Sequence, residues 1–176
     1  MVVYKRATQN SELEQILALQ KKNLIPVLSE DEKKKEGFVT VSHTLELLKR
    51  MNDVCAHVIA KDGDRVVGYA LCMHPRFAEE IEVLKPMFYE ISLVVPKTEK
   101  YLAMGQICID KDYRGQGLFR QLYDNMKKGI QPEFTSIITE VDVKNNRSLK
   151  AHYAVGFKDL KTYRSGGQDW HLIALH

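Results

Sequence analysis

The spacing of apolar residues along the chain predicts alternating strands and helices. Strands are expected where Val, Ile and Tyr alternate with polar residues or form short apolar runs, at 2–7, 55–62, 64–74, 101–110 and 135–143. Helices are expected where apolar residues recur every three or four positions, from Asn10 onwards, around 45–51, from 118 to Gly129 and over 146–155. The chain then closes with a hairpin that turns at Ser165-Gly166-Gly167.

Two segments fall outside this pattern. Residues 29–38 are a run of acidic and basic side chains, which is typical of a solvated loop. Residues 75–99 mix acidic and apolar side chains and contain Pro86, which predicts a broken helix or a long excursion between two strands. A connection of this length inside a compact domain is usually functional, so we expect 75–99 to be an insertion or a lid.

The composition is ordinary for a globular protein and excludes a disordered, collagen-like or disulfide-rich chain. The 176 residues are 44% hydrophobic and 28% charged, which suits a single domain over 1–176. The 26 Lys and Arg against 23 Asp and Glu leave a formal net charge of +3. This charge is too small to indicate nucleic acid or a membrane surface as a partner.

The cysteines and the apolar windows indicate the compartment. Cys55, Cys72 and Cys108 each lie in an apolar stretch, and their odd number favours buried thiols over a disulfide framework. The first residues lack a signal-peptide pattern, and the longest apolar windows are far shorter than a membrane span. We therefore expect a cytoplasmic protein.

The most informative local feature is the junction RGQG between a predicted strand and a predicted helix. Gly115 and Gly117 remove Cβ atoms where a backbone could approach a ligand, and Arg114 adds a cation beside them. The helix that follows points its free N–H groups into the loop, and such a helix terminus binds phosphate or pyrophosphate. The alternative is a strand-to-helix turn that binds nothing.

This junction and a second motif resemble the GNAT superfamily of N-acetyltransferases. Its first signature is Arg or Gln, two residues, Gly, one residue, and Gly or Ala, and here Arg114, Gly117 and Phe119 stand at these positions. Phe119 departs from the family, which has a small residue there. The second signature is matched without a gap by Glu140, Val141, Asn145, Ser148, His152, Gly156 and Phe157.

The resemblance implies an α/β fold of the GNAT type, with a mixed, mostly antiparallel central sheet flanked by helices. In this family the strand before the loop splays away from the next strand, and the pantothenate arm of acetyl-CoA fills the gap. The loop amides hold the pyrophosphate. The residues implied to bind this cosubstrate are Ile107, Cys108, Ile109, Arg114, Gly115, Gln116, Gly117, Leu118, Phe119 and Asn145. No metal is expected.

The resemblance also implies direct acetyl transfer to a primary amine, with a proton donor for the CoA thiolate on the helix before Gly156. The gapless alignment places His152 there, whereas a helix one residue shorter would place Tyr153 there. Adjacent helical side chains point about 100° apart, so only one of the two can face the thiol. The other possibility is that His152 only packs. Because transfer is direct, Cys108 is expected to be structural rather than a nucleophile.

The sequence does not assign the general base to a single residue. Glu140 is the first candidate, and Asp142 shares its face of the strand because the two residues are two positions apart. Glu90 and His74 are further candidates, and a site that works through water needs no single base. Each of these side chains could instead be an ordinary surface residue.

The acceptor is expected to be a small-molecule or peptide amine. If the excursion covers the acceptor, its acidic and aromatic side chains would favour a cationic or aromatic amine; these are Glu79, Glu80, Glu82, Glu90, Phe77, Phe88 and Tyr89. A homodimer is possible through the C-terminal strands around Trp170. The alternative function is a module that binds acyl-CoA without turnover. A nucleic-acid partner is discounted because Lys and Arg form no stripe interleaved with aromatics.

Overall fold

A seven-stranded sheet organises the chain. The computed structural model describes residues 1–24, 39 and 41–176, so the charged segment 29–38 lies outside the described residues. The strands are Val2–Arg6 (β1), Val58–Asp62 (β2), Arg65–Met73 (β3), Tyr101–Ile109 (β4), Ser136–Asp142 (β5), Lys158–Ser165 (β6) and Gln168–Leu175 (β7). Their order is β1-β2-β3-β4-β5-β7-β6, and β4 with β5 is the parallel pair in an otherwise antiparallel sheet. The mixed α/β architecture predicted from the sequence is confirmed.

Helices cover both faces of this sheet. They are Asn10–Lys22 (α1), Leu45–Val54 (α2), Lys85–Val94 (α3), Leu118–Ile130 (α4) and Asn146–Val155 (α5). Because strand side chains alternate, α1, α2 and α3 pack on one face while α4 and α5 pack on the other. Within the described part of the chain, no helix is long and apolar enough to cross a bilayer.

The parallel pair of strands opens into a gap. β4 and β5 pair only over Tyr101–Ala103 against Ser136–Ile138. Beyond that point Leu71 of β3 faces two residues of β4, Gly105 and Gln106, because the register shifts between the pairs Ala70–Ile107 and Cys72–Met104. Such a β-bulge bends the strand that carries the extra residue and increases its twist. The bend turns the rest of β4 away from β5.

A buried carboxylate fixes α1 to the edge of the sheet. Glu12 is 1% exposed and accepts hydrogen bonds from Lys5 of β1 at 2.7 Å and Lys61 of β2 at 3.2 Å. The backbone N–H groups of Thr8 and Gln9 donate to the same carboxylate. Burial raises the pKa of Glu12, but these hydrogen bonds outweigh burial and lower it to about 2.

The segment 75–99 packs against the core of the domain. Phe77 and Phe88 are buried in one apolar cluster with residues of the sheet. Its acidic side chains are paired: Glu79 and Glu82 with Lys85, Glu80 with Arg50, and Glu90 with Lys161. The apolar side chains of this segment therefore pack inwards, while its acidic side chains, most of which precede α3, form ion pairs.

Gly129 does not end α4 as the sequence suggested. The helix continues to Ile130, and Gly129 lies in its last turn. A Cβ at this position would lie 2.8 Å from Nη1 of Arg6, so the close approach of the Arg6 side chain explains the glycine. The predicted hairpin near the C-terminus is confirmed, with Gly166 and Gly167 both at positive φ between β6 and β7.

Removing the buried charge of Glu12 should destabilise the fold in a pH-dependent way. The folded-state pKa is below that of an unfolded glutamate, so this carboxylate stabilises the fold above about pH 4.5, and the stabilisation is lost as the pH falls towards 2. Urea unfolding at pH 7 should show Glu12→Gln losing ~2–3 kcal/mol, with a shallower acid limb than wild type. The exposed Glu14→Gln on the same helix is the control and should change little. Equal stability of Glu12→Gln and wild type would contradict this account.

Candidate functional site

The gap beside β4 opens into a cavity of about 320 Å³. It lies between the end of β4, the loop before α4 and the start of α5. Of the residues predicted to bind a cosubstrate, nine line this cavity: Ile107, Cys108, Ile109, Arg114, Gly115, Gly117, Leu118, Phe119 and Asn145. The sequence motifs thus converge on one concave surface, although they are separated along the chain.

The loop before α4 presents backbone donors to the cavity. Gly115 and Gly117 have φ values of +75° and +81°, which favour glycine because a side chain is strained there. Gly117 directly precedes α4, whose first N–H groups have no partner within the helix. The loop and the positive end of the helix dipole form a site suited to a phosphate or pyrophosphate.

The free edge of β4 presents a second set of backbone groups. The N–H of Asp110 donates to the carbonyl of Val67 on β3 at 2.8 Å. Successive backbone groups of a strand point to opposite edges, so the amides of Ile107 and Ile109 point to the β5 side, where β5 has turned away. An extended ligand with amide groups can pair with this edge as an added strand would.

Two hydrogen bonds from Arg114 stabilise the loop. Its Nε donates to the carbonyl of Ile109 at 3.1 Å, and Nη2 donates to Oδ1 of Asn23 at 2.6 Å. The guanidinium therefore ties the loop to the end of β4 and to the residue after α1. Gln116, also predicted to contact the cosubstrate, is exposed, and its side chain donates to the carbonyl of Asp112. Of the ten residues expected to bind the cosubstrate, Gln116 is the one that does not line the described cavity wall.

Phe119 forms part of the cavity wall without filling it. Its ring packs edge-to-face on Tyr123 at 5.2 Å and on His152 at 5.0 Å between ring centroids. These contacts draw the side chain towards the interface of α4 and α5. The large residue at a position that is small in the GNAT signature therefore leaves the loop amides accessible.

Cys108 has the properties of a structural residue. Its side chain packs in the apolar cluster beneath α1 and is 7% exposed. Burial raises the pKa of its thiol to about 12, although nearby Arg114 acts in the opposite direction. The thiol is protonated at neutral pH and is a poor nucleophile.

Several residues of the cavity were not predicted from the sequence. Asn145 caps α5 by accepting from the N–H of Ser148, and this cap directs the side chains of Arg147 and Ser148 to the cavity wall. A cation in the first turn of the helix after the Glu-Val strand is a signal that could have indicated Arg147. Asn23 and Val39 also line the cavity, but they lie far from the motifs along the chain and carry no local pattern.

A smaller cavity of about 90 Å³ adjoins the larger one at the point where β4 and β5 separate. Both cavities share part of their walls, formed by Val39, Ile107, Asn145 and Ser148. The smaller cavity is further lined by Gln106, Glu140, Asp142, His152 and Trp170, among others. No residue of 75–99 belongs to the described walls of either cavity.

Glu140 lines the smaller cavity, and its carboxyl group changes protonation near neutral pH. Burial raises its pKa to about 7, although a hydrogen bond from the Tyr163 hydroxyl acts in the opposite direction. Tyr163 lies on β6 and packs beside Trp170 of β7 in the strand pairing. A carboxyl group with such a pKa can accept or release a proton under physiological conditions.

The other candidate bases are engaged elsewhere. Asp142 lines the smaller cavity, but it accepts from the N–H of Lys144 at 2.8 Å and from the Gln168 side chain at 3.3 Å. Glu90 is paired with Lys161. His74 accepts from the N–H of Arg76 and stacks edge-on against Phe134, outside both cavities.

His152 reaches the smaller cavity, but both of its ring nitrogens are occupied. Nδ1 lies 2.7 Å from the carbonyl of Ser148, which can only accept, so Nδ1 carries the proton. Nε2 then accepts from the Tyr123 hydroxyl at 2.7 Å. Burial lowers the pKa of His152 to about 4, so the ring is neutral at pH 7. This geometry is that of a packed, hydrogen-bonded histidine without a free proton to give.

Tyr153 points away from both cavities. Its hydroxyl donates to Asp159 at 2.8 Å, and the side chain is 38% exposed. Burial and Asp159 together raise the pKa of Tyr153 to about 12. The Tyr153 side chain therefore lies outside the described walls of both cavities, and the adjacent His152 takes the inward face of α5.

Comparison with known proteins supports a family assignment. The family model described as acetyltransferase (GNAT) family matches residues 15–157. No curated protein matches the chain. Among solved structures, the ribosomal-protein-S18-alanine N-acetyltransferase of Escherichia coli is 12% identical, with 99% of this chain and 93% of that one covered and a TM-score of 0.65.

Two further solved structures show the same fold. The yncA protein of Salmonella typhimurium, solved with its cofactor acetyl-CoA, is 12% identical with a TM-score of 0.66, and 99% of this chain and 93% of that one are covered. NAA60 of Arabidopsis thaliana, solved with a bisubstrate analogue, is 14% identical with a TM-score of 0.67. The match covers 99% of this chain and 97% of that one. The match to the family model over most of the chain places this protein in the GNAT family of acetyltransferases.

Proposed function

We propose that this protein transfers an acetyl group from acetyl-CoA to a primary amine, with both substrates bound at once. The observation that carries this proposal is the pair of adjoining cavities at the split between β4 and β5. One cavity offers backbone donors for a pyrophosphate and an amide-bearing chain. The other offers a carboxylate that titrates near pH 7.

Acetyl-CoA fits the larger cavity by its chemistry. The pyrophosphate is held by the amides between Gly115 and Phe119 at the start of α4, where the dipole favours negative charge. The pantetheine amides pair with Ile107 and Ile109 along the free edge of β4. This path directs the thioester to the junction of the cavities, where Asn145 and Ser148 belong to both walls.

Glu140 is proposed as the general base. An alkylamine has a pKa of about 10, so it reaches the site as an ammonium ion and must lose a proton before attack. Ionised Glu140 takes this proton, and the neutral amine nitrogen bonds to the thioester carbon. The C–S bond then breaks to release the CoA thiolate, and the nitrogen loses its second proton to solvent, which leaves a neutral amide. The thiolate takes a proton from solvent, and Glu140 returns its own to solvent. No role as proton donor is proposed for His152.

The acceptor is proposed to be the amine of a small molecule or a peptide. Glu140 and Asp142 contribute acidic groups to the smaller cavity, and Trp170 contributes an aromatic ring. Carboxylates and aromatic faces both attract a cationic group such as an ammonium ion.

A second candidate function is the binding of acyl-CoA without turnover. It is favoured by His152, whose two ring nitrogens are both engaged, and by the outward placement of Tyr153. Incubation with acetyl-CoA and a panel of amines and peptides separates the two candidates. Release of free CoA that depends on the amine, with an acetylated product by mass, supports catalysis, whereas binding without release supports the second candidate.

Substitution of Gly117 should weaken acetyl-CoA binding selectively. Gly117→Ala and Gly167→Ala both place a Cβ at a left-handed φ with open space around it, so each should cost ~1–2 kcal/mol of stability. Only Gly117 lies in the loop before α4. Acetyl-CoA at about 100 times its Kd should stabilise wild type and Gly167→Ala by ~2.7 kcal/mol and Gly117→Ala by clearly less.

Thermal unfolding with acetyl-CoA, desulfo-CoA and ATP measures this effect. Desulfo-CoA should shift the Tm of wild type nearly as much as acetyl-CoA, since the proposed contacts spare the sulfur atom, and ATP should shift it less. An equal shift for both glycine variants would place the binding site elsewhere.

The activity should depend on the ionisation of Glu140. In wild type, kcat/KM for a fixed amine should carry an inflection near pH 7 as the carboxyl group loses its proton and becomes the active base. Glu140→Gln should lower kcat/KM by ~10²–10⁴-fold and remove this inflection, with acetyl-CoA affinity nearly unchanged. Glu82→Gln, which changes an exposed glutamate outside both cavities, is the control. Persistence of the inflection in Glu140→Gln would rule out this role.

A further inference from the structure

Two cysteines lie near each other outside the described walls of both cavities. Cys55 directly follows α2, Cys72 lies near the end of β3, and the N–H of Cys72 donates to the side chain of His57, two residues after Cys55. Both belong to the apolar cluster beneath α4. Neither contributes to the described walls of the two cavities, so acetyl transfer makes no use of them.

An arginine side chain lies against this pair. Nη2 of Arg6, on β1, donates to Sγ of Cys55 at 3.3 Å. Nη1 of the same guanidinium is buried and has no hydrogen-bond partner among the described residues. A guanidinium stays charged in proteins, so this half-buried side chain places a positive charge beside the Cys55 thiol. The charge is balanced when Cys55 is a thiolate.

The two thiols have unequal acidity. The hydrogen bond from Cys72 lowers the pKa of Cys55 to about 6 against the effect of burial, and Arg6 adds to this lowering. Burial, with the neighbouring Cys55, raises the pKa of Cys72 well above its usual range. When the pair ionises, the thiolate is therefore favoured on Cys55 over Cys72.

Other titratable groups around the pair do not compensate Arg6. Glu133, which follows α4, acts on Cys55 from a distance and only slightly raises its pKa. His57 accepts from the N–H of Cys72 through Nδ1 at 3.0 Å, and burial lowers the pKa of this ring to about 3, so it is neutral.

We propose that Cys55 and Cys72 are a peroxide-reactive dithiol that closes to a disulfide. The Cys55 thiolate attacks one oxygen of a hydroperoxide, the O–O bond breaks, and Cys55 becomes a sulfenic acid while hydroxide or alkoxide leaves. Cys72 then attacks the sulfenic sulfur, loses its proton, and water departs as the S–S bond forms. The peroxide takes up two electrons, and the two thiols supply them.

The burial of the two residues fits this order of events. Cys55 is 9% exposed and can be reached by a small oxidant, whereas Cys72 is 0% exposed and is reached only by Cys55. Cys108 is the internal reference, because it has no such partner and burial raises the pKa of its thiol to about 12. The chain thus contains one reactive pair and one inert thiol.

Thiol counting on the full chain tests the proposal. The protein is treated with hydrogen peroxide at pH 7, quenched and denatured, and the free thiols are then counted and the peptides analysed by mass. The thiol count should fall from three to one, with a disulfide that joins the Cys55 and Cys72 peptides, and dithiothreitol should restore all three. Cys108→Ser should lose its two thiols at the same rate.

A variant of the arginine tests the role of its charge. Alkylation of Cys55 by iodoacetamide should show a pH midpoint near 6 in wild type, and Arg6→Met should raise this midpoint, while the hydrogen bond from Cys72 keeps it below ~8.5. Oxidation that stops at a sulfinic acid on Cys55, a disulfide that involves Cys108, or a count that stays at three would each overturn the proposal. These readings do not depend on acetyl transfer, so they stand apart from the function proposed above.

Discussion

The extra residue in β4 is the constraint on which the site depends. Gly105 and Gln106 together face Leu71 of β3, and the resulting bulge carries the rest of β4 away from β5. A regular ladder would continue the pairing of β4 with β5 as far as Ile107 opposite Asp142 and close the gap between the strands. The carbonyl of Met104, at the point of separation, is satisfied by the hydroxyl of Thr139 at 3.0 Å. The backbone groups of β4 that lack a partner on β5 are thus those that face the cavities.

A buried polar network supports the bulge from the face covered by α1. Oε1 of Gln106 accepts from Gln20 at 2.8 Å and from the Tyr69 hydroxyl at 2.6 Å, and its amide donates to the carbonyl of Val41. Gln20 in turn accepts from the N–H of His43. These bonds fix Val41 and His43 beside the opening, close to Val39, which lines both cavities. Buried polar networks of this kind favour a single arrangement, which a site built from backbone groups requires.

The sequence predicted best where local chemistry decides the structure. Positive φ values at Gly115 and Gly117 demand glycine in a short loop, and the order of elements followed from apolar spacing. Asn23 and Arg147 were missed because tertiary packing alone brings them to the cavity. The sequence also left open which of His152 and Tyr153 faces the site as the candidate proton donor. In the structure His152 turns inward, where its ring bonds to the Tyr123 hydroxyl. The environment of Gly129 was not predicted, because the side chain that a Cβ at this position would meet belongs to Arg6, which is far away in sequence.

Backbone amide exchange on β4 tests the central claim most directly, because it reports on the free strand edge itself. Without ligand, the amides of Ile107 and Ile109 should exchange far faster than that of Cys108, which points to β3. Saturating acetyl-CoA should slow exchange at both isoleucines by more than tenfold, with no comparable change in β2. Slow exchange at Ile107 and Ile109 before any ligand is added, or unchanged exchange in the bound protein, would contradict the account.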